Sequence, residues 1–525
     1  MNFEIKYYPI PELTKLGWLC CLDTENNILK ALHGNSVECK RHWMVEGVWD
    51  NKYEKGEFHQ SENFFGSGIR IEDAKVYFVP SSASIDRIYY CIYKKYIIVS
   101  NSLLLLLGFT NAKLDTNYGY SQESLSILNG YSDYKKEFRV IHPDIDCFYE
   151  IFYENIIFSK GEITFEVRSK LKRIDSYGQY HQMLKDTLIH IKDNYESTAR
   201  KIPISPFTTL STGYDSTAVS CLARDIGVKK CFTTKKSSLN FPNFFFKNSI
   251  DDGTPIAEQL NLDIFYLSFP TPDNMSEDEL FFLAMPFSKF SGKILNETVF
   301  YSMAQFIEDN CKAAVVFCGY HGDKVWDIYL TKRFLNDQIR RGDTSGLNLS
   351  EIRLKSGFIN VPVPFISARN VKDINKISNS AEMKQWKLNN SYDRPIPRRI
   401  AEDSGVSRDS FGMKKKFVAM YNEYPKNKEL RKKFFGYLKN LYNINALSIY
   451  SCIYVNQANK IMKKILWKLK FIKKDYNTHI FLKDIDFTYL MWIWSAEILK
   501  EKFTKIFKEH KNIFEKDIDL LNIRK

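Results

Sequence analysis

The sequence has no stretch long enough to cross a bilayer. Its purely apolar runs, LLLLLGF after Ser102 and YLMWIW from Tyr489, fall far short of the ~20 residues that a spanning helix needs. MNFEIKYYPIPEL does not set a basic segment before an apolar one, which argues against a secretory leader. The ten cysteines are scattered, with no C-x-x-C pair, so neither a zinc site nor a disulfide framework is indicated. Together these absences lead us to expect a cytoplasmic, reducing setting. A G-x-x-x-x-G-K-[ST] loop is missing, which excludes a Walker-type phosphate site. No internal repeat or low-complexity tract interrupts the chain.

Acidic charge is scarce in one region. The chain carries 75 Lys and Arg against 62 Asp and Glu, a net +13, and about +12 of this lies beyond residue 400. No groove-reading or RNA-binding motif accompanies the excess. Lysine is abundant alongside Asn, Ile, Tyr and Phe, a bias that raises charge without a polyanion, so no nucleic-acid partner is expected.

At 525 residues the chain is long enough for more than one domain. Up to about residue 170 it is rich in short β-type runs, among them VYFVP, RIYYCIY, KYIIVSN, CFYEIFYENIIF and ITFEVRS. From Tyr177 the period becomes helical: YHQMLKDTLIHIKDNY sets Leu184, Leu188 and Ile191 near one face. The expected division is therefore 1–175, an α+β, strand-rich domain, and 176–525. In the second part apolar runs alternate with helical ones (PFTTL, TAVSCLARDIG, KKCFTT, TPIAEQLNL, IFYLSF, KAAVVFCG), which predicts an α/β domain on a parallel sheet with crossover helices. Beyond about 425 the chain reads as helical and basic.

Ligands of parallel α/β sheets bind where strand ends feed helix N-termini, whose free N–H groups attract anions. LSTGYDST, Leu210 to Thr217, lies at such a place. Its small residues and hydroxyls suit either a phosphate cradle or an ordinary capped turn. It resembles the S-G-G-x-D-S pyrophosphate loop of the N-type ATP pyrophosphatases, and the resemblance implies that Leu210, Ser211, Thr212, Gly213, Asp215 and Ser216 hold ATP. Thr212 stands where glycine is usual, and a β-branched residue there would cost about 1–3 kcal/mol if the backbone required a positive φ.

KAAVVFCGYHGDKVWD, a buried strand running into a turn, resembles the S-G-x-G-x-D-E segment of the asparagine synthetases. SEIRLKSGFINVPVPFIS resembles that family's E-x-R-x-P-F-L-D segment, giving Glu351, Arg353 and Phe365. RPIPRRIAEDSGVSRDSFGMKKKF resembles the segment ending R-x-K-x-x-F, with Lys414 three before Phe417. PSSASIDRIYYCIYKKYIIVSNSLLLLL resembles a strand pair of the class II (Ntn-type) glutaminase domain. On these four segments the chain resembles the asparagine synthetase family. The fold implied is an adenine nucleotide α-hydrolase-like synthetase domain behind a degenerate glutaminase-like one.

The resemblance implies ATP and Mg²⁺ as cofactors, Asp215 and Asp323 as metal ligands, and Gly322 at the nucleotide. It implies an ATP-dependent ligase that adenylates a carboxylate and passes the acyl group to an amine or ammonia. The acid could be a small molecule, a peptide or a sugar acid. Class II glutaminases use an N-terminal cysteine; here Met1 is followed by Asn2, and Cys20 and Cys21 lie in an apolar segment that reads as core. In β-lactam synthetases, relatives that also lack this cysteine, a tyrosine three before the magnesium aspartate pairs with the E-x-R glutamate to deprotonate the amine. Tyr320 and Glu351 stand in those positions, with Lys414 at the oxyanion and Lys416 as the alternative if the register slips. His321 is a second candidate base. An RNA-modifying pyrophosphatase or a catalytically inactive chain are the competing readings, and a homodimer is left open. IMKKILWKLKFIKK, 461–474, aligns Ile461, Ile465, Leu469 and Ile472 on one face; the plain reading is a core helix with a solvated lysine face, the alternative an anionic-membrane contact.

Overall fold

A computed structural model of the chain describes residues 3–168, 171–235, 251–268, 277–284, 298–413, 424–425, 427–442, 446–469, 471 and 486–513. Two sheets face each other in the N-terminal part. The first has seven strands in the order Glu4–Pro9, Ile28–His33, Trp18–Asp23, Tyr96–Ser100, Ile88–Tyr93, Cys147–Ile151, Glu137–Arg139. The second has six: Glu162–Glu166, Asn155–Ser159, Lys75–Val79, Phe64–Glu72, Trp43–Trp49, Glu38–Lys40. Pairing is antiparallel throughout except between the first two strands of the larger sheet.

The period of two explains why the central strands are apolar on both sides. Trp18, Cys20 and Leu22 join Met44, Ile69 and Phe78 in the core between the sheets, whereas Leu19 and Cys21 face the helices behind. Those helices are Leu103–Thr110, every residue of which is buried, and Phe487–Glu509. At their crossing a Cβ on Gly108 would lie 2.6 Å from the Cβ of Phe503, so only glycine lets the two backbones approach this closely. The last long described helix thus returns to the N-terminal sheet.

The second layer system is a five-stranded sheet, wholly parallel, in the order Asp263–Tyr266, Lys230–Thr233, Ile204–Leu210, Ala313–Cys318, Phe358–Pro362. Phe207, Phe232, Ala314 and Val316 point to one side, and Leu210, Cys231, Val315 and Phe317 to the other. Both faces are covered, which is why these strands read as unbroken apolar runs. Helix Tyr177–Tyr195 buries Leu184, Leu188 and Ile191, as its spacing predicts.

Helix Ser350–Ser356 joins the two parts. The Arg353 guanidinium spans Glu46 (2.9 and 3.0 Å) and Asp86 (2.6 Å) of the N-terminal part, all three fully buried. Arg87 donates to Ser350 Oγ (2.9 Å) and to the Leu347 carbonyl (3.2 Å).

One expectation is corrected. The 461–474 segment belongs in part to helix Ala446–Lys468, and Ile461, Ile465 and Leu469 are exposed rather than core. The helix has two apolar stripes; the side turned inward is that of Ile449, Ile453, Asn456 and Asn459. Ile472 lies outside the described residues. Among the described residues no helix is long and apolar enough to cross a membrane.

Removing one member of a buried ion-pair network leaves the others without their counter-charge. Arg353→Ala is therefore expected to lower unfolding free energy by about 3–5 kcal/mol in denaturant titrations. A loss below about 1 kcal/mol would mean that the network does not hold the seam together.

Candidate functional site

The central strand Ile204–Leu210 ends in the turn Ser211–Gly213, and helix Tyr214–Asp225 begins at once. The turn is tied to itself. Ser216 Oγ accepts from the Ser211 amide (3.1 Å) and meets Ser211 Oγ at 2.7 Å, while the Gly213 amide donates to Ser211 Oγ (3.2 Å). Thr217 Oγ1 donates to the Gly213 carbonyl (2.7 Å). Thr212 is not among the non-glycine residues with positive φ, so the strain that a β-branched side chain would meet there does not arise. Its amide (2.9 Å) and hydroxyl (2.7 Å) both donate to one oxygen of Asp251, a buried carboxylate. Leu210 is buried in the core, so only its backbone borders the turn.

A second turn presses on the first. The neighbouring strand Ala313–Cys318 runs into Gly319–Gly322, and a short helix, Gly322–Val325, carries Asp323 in its first turn. A Cβ on Gly319 would stand 2.8 Å from Asp215 Cβ, and one on Gly322 would stand 2.4 Å from Asp215 Cγ. Glycine at both positions is what allows the Asp215 carboxylate to sit against the turn that bears Asp323.

Each carboxylate has a cation. Asp323 pairs with Lys324 at 2.9 Å. Asp215 is in close contact with Arg394, whose side chain is 2 % exposed and whose Nε is 3.9 Å from Asp327. Burial works against the Arg394 charge; Asp215, then Tyr392 and Asp323, more than reverse this. Tyr392 stacks obliquely on Tyr214 (4.9 Å) and its hydroxyl lies over Gly213. Arg398 donates to the Tyr214 hydroxyl at 2.8 Å. Asp251, Tyr392, Arg394 and Arg398 were not picked out by motif. The legible signal was R-P-I-P-R-R: prolines at the start of helix Pro395–Asp403 fix its first turn and so aim the flanking arginines at the loop.

Two carboxylates on adjacent turns are the hard oxygen donors that magnesium takes, with phosphates and water completing its octahedron. Among the described residues no group of three or more His, Cys, Asp or Glu could hold a metal by protein ligands alone. The donor set thus fits a metal that arrives with phosphate, on condition that Arg394 shares Asp215.

Tyr320 packs against both large core clusters, and its ring borders Gly346, the residue before the turn Leu347–Leu349 that leads to Glu351. Glu351 accepts from Ser102 Oγ (2.7 Å) with one oxygen and from the Leu103 amide (2.9 Å) with the other. The carboxylate therefore caps helix Leu103–Thr110 across the seam. Burial raises its pKa to about 7, against the lowering influence of the Ser102 bond and Arg87. His321 adopts a left-handed conformation (φ 73°) with its ring stacked on Phe365 at 4.6 Å. Burial, aided by Arg341, pushes its pKa down to about 3, which makes it a weak base. Lys414, Lys416 and Phe417 lie outside the described residues; Gly412, just before them, donates to the Thr212 carbonyl at 2.9 Å.

No protein-family model matches the chain, and no curated protein matches it.

The raised Glu351 pKa carries a pH signature. The folded state keeps the proton over a range in which the unfolded chain, at about 4.5, has lost it, so the contribution is full below that value and is lost as pH rises through about 7. Relative to Glu351→Gln, the unfolding free energy of the wild type is expected to fall between about pH 5 and about pH 8. A difference independent of pH would contradict the buried, proton-holding carboxyl.

Proposed function

We propose that the protein is an ATP-dependent ligase that activates a carboxylate as its adenylate and joins it to an amine. The observation that carries this reading is the pair of glycine-walled turns at the ends of adjacent parallel strands, which set Asp215 beside the Asp323 turn at the positive end of a helix. The resemblance of the first turn to the pyrophosphate loop of the N-type ATP pyrophosphatases, and of the second to a segment of the asparagine synthetases, supports it.

A carboxylate at neutral pH is a poor electrophile. Attack of its oxygen on the α-phosphorus of ATP releases pyrophosphate and leaves a mixed anhydride, and attack of the amine on the acyl carbon then expels AMP while the nitrogen loses one proton. In this reading the hydroxyls of Ser211 and Ser216 and the first amides of helix Tyr214–Asp225 receive the pyrophosphate. Asp215 and Asp323 hold magnesium, which supplies charge neutralisation for the phosphates. Arg394 pairs with Asp215 and orients it. Tyr320 takes the amine proton with Glu351 as its relay, and Lys414 stabilises the oxyanion. Acid and amine are left as classes: a small-molecule, peptide or sugar acid, and an amine or ammonia.

A second reading has an observation of its own. Asp251 already occupies the Thr212 amide, and Arg394 already occupies Asp215, so the cradle is satisfied by internal charges. A chain whose loop stays closed in this way is a non-catalytic relative.

Pyrophosphate exchange into ATP, measured with a panel of carboxylic acids, separates the two. The ligase reading expects acid-dependent exchange, with magnesium-ATP affinity at least about ten-fold weaker in Asp215→Asn and in Asp323→Asn; absence of exchange with unchanged affinity supports the closed loop. The two chemical steps are also separable. Tyr320→Phe is expected to leave exchange largely intact and to lower amide formation by about 10²–10⁴-fold. Equal loss of both would return Tyr320 to a packing role.

A further inference from the structure

The outward stripe of helix Ala446–Lys468 has no counterpart in the ligase reading. Leu447, Tyr450, Tyr454, Ile461, Ile465 and, one residue past the helix, Leu469 fall within about 100° of arc at 3.6 residues per turn. Leu447 is 78 % exposed, Tyr454 68 %, Ile461 61 % and Leu469 60 %. The inward side of the same helix is occupied separately by Ile449, Ile453, Asn456 and Asn459, so the exposed stripe is a second apolar face running about 34 Å. Phe471, next in line, is 76 % exposed.

Along the sequence, the charge of this segment has one sign. Residues 430–474 contain eleven Lys and Arg and not one Asp or Glu. An apolar stripe in a wholly cationic segment suits a surface that offers hydrocarbon beneath negative charge. A polynucleotide would match the charge but not the aliphatic stripe. A second copy of the helix would match the stripe but set its four lysines (Lys460, Lys463, Lys464 and Lys468) against the same four.

We propose that helix Ala446–Lys468 and the residues just after it lie in the headgroup layer of an anionic bilayer, with the Leu447-to-Leu469 stripe facing the acyl chains. Each lysine near such a surface contributes electrostatic attraction that salt screens, and each apolar side chain contributes burial that salt does not.

Flotation of the full-length protein with vesicles tests this. With phosphatidylcholine–phosphatidylglycerol vesicles at low salt the protein should float, and at high salt or with phosphatidylcholine alone it should stay behind. An Ile461→Ser, Ile465→Ser, Leu469→Ser triple variant should lose about ten-fold or more of its partitioning with its melting temperature unchanged, because these side chains are exposed. A Lys463→Glu, Lys464→Glu variant tests the charge independently and should lose binding to a similar degree. The proposal is overturned by failure to float, by undiminished flotation of either variant, or by equal binding to neutral vesicles. It is also overturned if the triple variant instead dissolves a dimer in sedimentation equilibrium, or abolishes oligonucleotide binding by a protein that ignores vesicles.

Discussion

The contact on which the site depends is that between Asp215 and the turn after strand Ala313–Cys318. Parallel pairing places the ends of the two strands side by side, and two glycines remove the Cβ atoms that would hold the turns apart. Any side chain at Gly322 would enter the space of the Asp215 carboxylate. Everything proposed for the loop follows from this closeness: the two aspartates stand on adjacent turns, and a buried guanidinium balances their charge. Asp215 and Asp323 are both only partly exposed, and the buried Arg394 guanidinium supplies Asp215 with a counter-charge.

The seam between the two parts uses the segment that motif reasoning assigned to chemistry. Helix Ser350–Ser356 sends Arg353 into Glu46 and Asp86, and Glu351 onto the start of helix Leu103–Thr110. Such a pair of contacts makes the strand-rich part a structural partner of the parallel sheet. Burial at the same seam raises the Glu351 pKa to about 7, and the fixed donors Ser102 and Leu103 hold the carboxyl in place.

Much of the architecture was legible. The runs VYFVP, RIYYCIY and KYIIVSN are the strands Lys75–Val79, Ile88–Tyr93 and Tyr96–Ser100, and the switch of period at Tyr177 marks a helix that begins at that residue. The parallel sheet followed from alternation of apolar runs with helices. Less legible were contacts between distant segments, since period and propensity describe a chain only locally. Asp251 reaches Thr212 from 39 residues away with no motif of its own, and Arg394 and Arg398 lie in a segment whose motif reading had assigned them no role at the loop. The side of helix Ala446–Lys468 that turns inward was misread for a related reason: a helix with two apolar stripes has no single preferred face in sequence, and packing against Phe434 and its neighbours selects one. Thr212 illustrates the reverse case, where a suspected strain vanished because the backbone there does not need a positive φ.

The central claim is that the Ser211–Ser216 turn receives the phosphates of a nucleotide while Arg394 yields its hold on Asp215. A crystal structure with magnesium and a non-hydrolysable ATP analogue tests it most directly. The account predicts phosphate oxygens on the hydroxyls of Ser211 and Ser216, the metal between Asp215 and Asp323, and the Arg394 guanidinium turned toward phosphate. An analogue bound elsewhere, with the Asp215–Arg394 and Thr212–Asp251 contacts intact, would contradict it.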